Sequence, residues 1–111
     1  MSTYFVTRHP GARDWAREES LAVDEVIDHL KPERIRPGDR VIGSLPVNLA
    51  AEVCERGGIY LHLSIDLSRG LRGKDLSAEE MRACGARIEQ YEVHRVPAQA
   101  GDSDLPREQR P

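Results

Sequence analysis

Three short stretches of this chain hold the residue types that could do chemistry. The first is Arg8-His9-Pro10-Gly11, which follows the β-branched and aromatic run Thr3–Thr7. Arginine offers a planar fork of donors, and histidine is the side chain that trades protons near neutral pH. A proline just past such a turn suits the first turn of a helix, whose leading N–H groups are unpaired and carry the positive end of the helix dipole. An Arg, a His and a helix N-terminus at one point make an anion site, with phosphate the natural occupant. The second stretch, Gly43-Ser44-Leu45-Pro46-Val47-Asn48, sets a hydroxyl ahead of another helix and an amide in its first turn. The third, Ser64-Ile65-Asp66-Leu67-Ser68-Arg69, adds a carboxylate, a hydroxyl and a cation. The candidate catalytic residues are His9, Arg8 and Asn48. The candidate substrate contacts are Pro10, Gly11, Ser44, Leu45, Pro46, Asp66, Ser68 and Arg69.

The elements that must position these turns can be read from periodicity. Residues 3–7 form a strand, and 11–20 a short polar helix whose buried stripe is Ala12, Trp15 and Ala16. Residues 22–30 fit a strand or a helical turn, with a strand favoured in the first half. Pro37-Gly38-Asp39 is a turn signal before a strand at 40–45. The clearest helix is 45–54, with Val47, Ala50, Ala51 and Cys54 on one face, Ser44 as its N-cap and Gly57-Gly58 as its stop. In the strand 59–65, Ile59, Leu61, Leu63 and Ile65 alternate with Tyr60, His62 and Ser64. Residues 66–75 form a polar loop, with Arg69, Arg72 and Lys74, of the kind that covers a ligand. Ser77-Ala78-Glu79-Glu80 is a capping box flanked by the staple Leu76 and Met81, and its helix stops at Gly85. Residues 86–96 give a last strand.

The order β-α-β-β-α-β-α-β implies an α/β fold: a Rossmann-like single domain over 1–96, with a mostly parallel sheet of about five strands and helices on both faces. The stretch between the second and third strands, roughly ten residues, is short for a parallel crossover. Either one strand runs antiparallel or the passage holds a single helical turn. Residues 97–111 are rich in Pro, Gly and charge and are expected to be a disordered C-terminal tail.

Composition narrows the function. With 111 residues, one domain is the prior. Aromatics are only 5%, so Leu, Ile, Val and Ala must build the core. A net charge of −3 argues against long nucleic acid as a partner, though a local cluster of Arg can still hold a small anion. No apolar run could span a membrane and no signal peptide opens the chain. Cys54 and Cys84 lack metal or redox spacing and read as small apolar residues in a reducing compartment, the cytoplasm by default. The absence of metal-ligand spacing, of a Walker loop and of G-x-G-x-x-G leads to an expectation of metal-independent chemistry with no cofactor.

Plainer roles exist for each candidate. Arg8 could pair with a surface carboxylate, and His9 could be an ordinary turn residue. Ser44 could serve only as a cap, Asn48 could bond its helical neighbours, and Asp66 could be a turn residue. Arg72 and Lys74 fit a solvated loop. His62, between apolar neighbours, reads as a satisfied core histidine, and His29 and His94 read as surface residues. Arg8-His9 also resembles the turn of histidine phosphatases, which place Arg-His-Gly after the first strand. Here Pro10 intervenes, the chain is short for that fold, and no second histidine stands at a comparable turn.

Four segments together carry a family resemblance. They are Tyr4-Phe5-Val6-Thr7-Arg8-His9-Pro10-Gly11-Ala12, the run Pro37 to Cys54 through Gly43-Ser44-Leu45-Pro46-Val47-Asn48, Tyr60-Leu61-His62-Leu63-Ser64-Ile65-Asp66, and Gly73-Lys74-Asp75-Leu76-Ser77-Ala78-Glu79-Glu80. Over about residues 2–95 the chain resembles the small stand-alone accessory proteins of type III CRISPR systems, the sixteenth of the subtype-X series. The resemblance implies a ring nuclease that degrades cyclic oligoadenylate, with the four-adenylate ring as the expected substrate, and so switches off CRISPR signalling. It also implies a homodimer with the messenger across its two-fold axis. The site residues rest on the turns above and not on the resemblance. The chemistry suits them: each 2′-OH can attack its adjacent phosphorus and leave a 2′,3′-cyclic phosphate, with Arg8 stabilising charge, His9 protonating the leaving oxygen, and Ser44 or Asn48 orienting the 2′-OH. The alternatives are a non-catalytic protein that binds or sequesters the ring, and a phosphatase with His9 as nucleophile.

Overall fold

Strand side chains alternate between two apolar layers, and that alternation sets the architecture. Phe5, Ile42, Leu61 and Leu63 belong to one layer, while Tyr4, Val6, Val41 and Tyr60 belong to the other. A sheet apolar on both faces must be covered on both. The structure, a computed structural model, describes residues 1–67 and 75–97. Most of the expected 66–75 loop, with Ser68, Arg69, Arg72 and Lys74, and all but Pro97 of the expected tail lie outside the described residues.

The elements follow the expected order: β1 (Thr3–Val6), α1 (Pro10–Glu18), β2 (Glu25–Ile27), a single 3-10 turn (Pro32–Arg34), β3 (Arg40–Gly43), α2 (Val47–Glu55), β4 (Ile59–Ser64), α3 (Ala78–Ala83) and β5 (Arg87–Tyr91). They form a five-stranded sheet in the order β2-β1-β3-β4-β5. The first four strands are mutually parallel, and β5 runs antiparallel to β4. The fold is a mixed α/β, Rossmann-like domain.

The short passage from β2 to β3 does contain only one helical turn. It reaches over β1, so that β3 pairs with β1 and not with β2. Ile35, just after that turn, is buried in one cluster with Ala50 and Val53 of α2. The last strand is antiparallel for a local reason. The Asp66 N–H donates to the Cys84 carbonyl at 2.9 Å, and the Asp66 carboxylate holds Arg87 at 3.1 Å. The end of α3 thereby lies beside the end of β4, and from there β5 runs back along it.

Helix α1 buries Ala12, Trp15 and Ala16 as its spacing predicts, and packs with α3 through Ala78 and Met81. Ser77 caps α3 in the expected capping box, with reciprocal bonds of 3.1 and 3.0 Å. Gly57 follows α2 at a φ of +82°, and the Gly58 N–H returns to the Val53 carbonyl, closing the helix where expected. Two expectations for α2 need correction. The helix starts at Val47 with Pro46 at the N-cap, and the Ser44 side chain caps nothing there. The buried positions are Ala50, Ala51 and Val53, with Val47 72% exposed. Starting late leaves Val47 as the first residue of the helix, where it is exposed.

Candidate functional site

Chain order creates a crevice at one point of the sheet edge. From β1 the chain turns through α1 toward β2; from the adjacent β3 it turns through α2 toward β4. Right-handed crossovers in opposite directions put α1 and α2 on opposite faces. The carboxyl ends of β1 and β3 therefore part, and in open α/β sheets ligands bind in such crevices. A cavity of about 500 Å³ opens there. Residues 7–9 after β1, 28–30 after β2 and 43–46 after β3 line it, with Leu63, Ile65 and Leu67 behind and Asp75 and Leu76 at the far rim.

The first two predicted turns meet in this cavity. Arg8 and His9 line it from one side, and Ser44, Leu45 and Pro46 from the other. Arg8 is exposed and, among the described residues, makes no ion pair or hydrogen bond. His9 is held at two points. Its N–H donates to Thr7 Oγ1 at 3.1 Å, and its Nδ1 lies 2.9 Å from Asp75 Oδ1. A carboxylate on Nδ1 fixes the ring's orientation and leaves Nε2 as the nitrogen that can meet a ligand.

The second turn is braced from below. Ser44 Oγ donates to the Leu63 carbonyl at 2.9 Å, so its proton is committed while its lone pairs stay available. The buried Tyr60 hydroxyl accepts the Leu45 N–H at 2.9 Å and donates to the Gly43 carbonyl at 3.1 Å. Burial pushes the Tyr60 phenol above its ordinary value, the Leu45 N–H bond acting against that shift. The hydroxyl thus stays protonated, as a donor to Gly43 requires. His62, with Nδ1 2.6 Å from the same hydroxyl, packs edge-on between Tyr60 and Tyr91 and stands away from the cavity.

Other predicted residues go elsewhere. Asn48 is exposed in the first turn of α2 and does not line the cavity. Pro10 sits exposed at the start of α1. Gly11 packs against the chain entering α3, where a Cβ would fall 1.7 Å from the Leu76 carbonyl oxygen. Asp66 is committed to Arg87 and Cys84, outside the cavity, although its neighbours Ile65 and Leu67 line it. Ser68 and Arg69 lie outside the described residues.

Asp75, Asp28 and His29 also line the cavity, though nothing in their sequence context marks them as site residues. Asp75 precedes a capping box and reads as helix-start chemistry, so no local signal couples it to His9. His29 follows a three-residue strand whose neighbour, β1, could not be deduced from the order of elements. Asp28 is engaged by Arg13 at 3.1 Å. Among the described residues no three His, Cys, Asp or Glu side chains come together as a metal-ligand set. No helix of the described residues is long and apolar enough to cross a membrane.

Residues 4–94 match the model of a family described as "Putative CRISPR-associated protein (Cas_VVA1548)". No curated protein and no solved structure matches the chain.

Proposed function

The chain belongs to this CRISPR-associated family, and from that premise we propose that it is a ring nuclease of type III CRISPR signalling. Its substrate in this reading is cyclic oligoadenylate, with the four-adenylate ring the best candidate. One observation carries the proposal: Arg8, without a partner among the described residues, and a carboxylate-held His9 share a single cavity at the parting of β1 and β3. That pairing of a fixed cation with a positioned proton donor is what phosphodiester cleavage needs when the nucleophile belongs to the substrate.

In the proposed reaction a ribose 2′-oxygen attacks the adjacent phosphorus in line with the departing 5′-oxygen. Arg8 stabilises charge on the non-bridging oxygens. His9 Nε2 gives a proton to the 5′-oxygen. The products are linear oligoadenylates ending in 2′,3′-cyclic phosphate. The cavity, about 500 Å³, is of the size that takes a nucleotide-sized ligand. Two copies related by a two-fold axis would present two such cavities to one ring, so the reading includes a homodimer.

A second reading, a protein that binds or sequesters the ring without cutting it, draws support from Ser44 and Asn48. Neither is free within the cavity to orient a 2′-hydroxyl by donating to it: the Ser44 proton goes to Leu63, and Asn48 lies outside. Incubating excess protein with labelled cyclic tetra-adenylate, with and without EDTA, and resolving the products separates the two. Linear products ending in 2′,3′-cyclic phosphate in both arms support the nuclease. Intact, bound ring selects the binder. Release of inorganic phosphate from a simple phosphomonoester would instead point to a phosphatase.

A further inference from the structure

We infer that His29 is a second catalytic residue of this cavity, taking the proton from the attacking 2′-hydroxyl. The inference rests on the ring-nuclease reading above. Its starting point is the pairing of β1 with β2, where Val6 faces Ile27 in parallel register. The Thr7 N–H donates to the Ile27 carbonyl at 2.9 Å, so the ladder continues past the end of β1. Residues 7–9 and 28–30 leave that last rung side by side and form neighbouring walls of the cavity. The topology thus brings His29, from the edge strand, to the cavity that holds His9.

The chemistry requires a second group. Attack in line sets the entering 2′-oxygen and the leaving 5′-oxygen on opposite sides of phosphorus. One imidazole cannot reach both oxygens in a single step. The charged and titratable side chains lining the cavity, among the described residues, are Arg8, His9, Asp28, His29 and Asp75. Arg8 cannot accept a proton. Asp28 is bonded by Arg13 at 3.1 Å, and Asp75 by His9 at 2.9 Å. His29 is exposed and has no hydrogen bond or ion pair among the described residues, so its ring nitrogens are open to a ligand.

The step balances. A neutral His29 nitrogen takes the 2′-hydroxyl proton as the O2′–P bond forms. The P–O5′ bond breaks, and the protonated His9 passes its Nε2 proton to the 5′-oxygen. The protein is left with His29 protonated and His9 neutral, and exchange with water restores the starting state. No electrons change hands and no co-reactant is consumed.

The test is single-turnover cleavage of labelled cyclic tetra-adenylate by the full chain, wild type and His29→Ala, across the pH range in which both stay folded. A lost proton-transfer group should lower the rate by about 10²-fold or more. His29 is exposed, so melting temperature and ring affinity should hold. The falling acid limb of the wild-type pH profile should disappear in the variant, because that limb reports a base that must be unprotonated. Added imidazole should restore part of the rate to His29→Ala. A variant that cleaves at the wild-type rate overturns the inference and leaves the ring-nuclease reading standing. A slower variant that keeps its acid limb and ignores imidazole also overturns it, since His29 would then act only on ring position. A wild-type protein that cuts no ring overturns both.

Discussion

The Tyr60 hydroxyl lies 2.9 Å from the Leu45 backbone nitrogen, and this one phenol holds the β3 turn in shape. It has one proton to give and two lone pairs to fill. The Gly43 carbonyl needs a donor and the Leu45 N–H needs an acceptor. His62 Nδ1 lies 2.6 Å from the same oxygen. Tyr60→Phe keeps the ring and strips the hydroxyl, leaving backbone groups of the turn without partners. The expected cost is about 2 kcal/mol, within the usual range for orphaned buried polar groups. Chemical denaturation measures it, and the ring-binding assay should show a parallel loss of affinity as residues 43–46 loosen. Unchanged values in both would mean that water replaces the hydroxyl without consequence.

Gly11 makes a different demand, because space and not hydrogen bonding is at stake. A Cβ there would meet the Leu76 carbonyl oxygen at 1.7 Å, and backbone cannot rotate aside as a side chain can. Gly11→Ala should push the start of α1 away from the chain entering α3, at a cost of about 1–3 kcal/mol. The neighbouring His9–Asp75 pair spans the same gap. Cleavage should therefore fall further than stability alone explains, a comparison that a thermal melt and a single-turnover assay make at a temperature where the variant is folded.

How far these contacts could be read from the sequence depends on how local they are. The Ser77 capping box, the stop at Gly57, the buried stripe Ala12-Trp15-Ala16 and the two-residue alternation of β4 all follow from neighbours a few positions apart. The convergence of the Arg8 and Ser44 turns follows from a rule about strand ends. The Ser44–Leu63 bond, the Asp66–Arg87 pair and the His9–Asp75 contact do not follow, because each joins residues distant in the chain. Ser44 has the right residue type for a cap, but the Leu63 carbonyl competes for its hydroxyl. Val47 has the right spacing for a core face and lies too early in α2 to reach it. His29 is a surface residue, as its sequence context suggests; its relevance comes from the surface it stands on.

Asp39 gives the fold a predictable acid limit. Its carboxylate is buried and accepts the Ser2 N–H at 2.9 Å and the Arg36 N–H at 3.0 Å. These two backbone donors, Ser2 first, hold its pKa below the ordinary carboxylate value. A group whose folded pKa is lowered contributes stability above its unfolded pKa and loses it as pH falls through the folded one. The wild type should therefore lose melting temperature progressively below about pH 4, the ordinary range for Asp. Asp39→Asn should start lower at neutral pH and show a shallower decline. Parallel slopes for the two proteins would assign the acid sensitivity to other carboxylates.

Arg8 and His9 should separate binding from chemistry if the proposed reaction holds. Arg8→Ala should weaken ring binding in a titration at low salt as well as slow cleavage, and salt should close part of the gap because the site is exposed. An unchanged affinity would make Arg8 structural.

His9→Ala should leave binding largely intact and slow single-turnover cleavage by at least about tenfold, since a lost proton donor typically costs 10²–10⁴-fold. Asp75→Asn tests how His9 is held. The amide can still accept the Nδ1–H but carries no charge, and its own NH₂ can turn toward the ring and favour the wrong tautomer. Both partners are largely exposed, at 66% and 79%, so stability should barely change and any loss belongs to positioning. A rate between those of wild type and His9→Ala is the expected result, and combining the two substitutions should add little to His9→Ala alone. Additive losses would show that Asp75 acts on the ligand independently of His9.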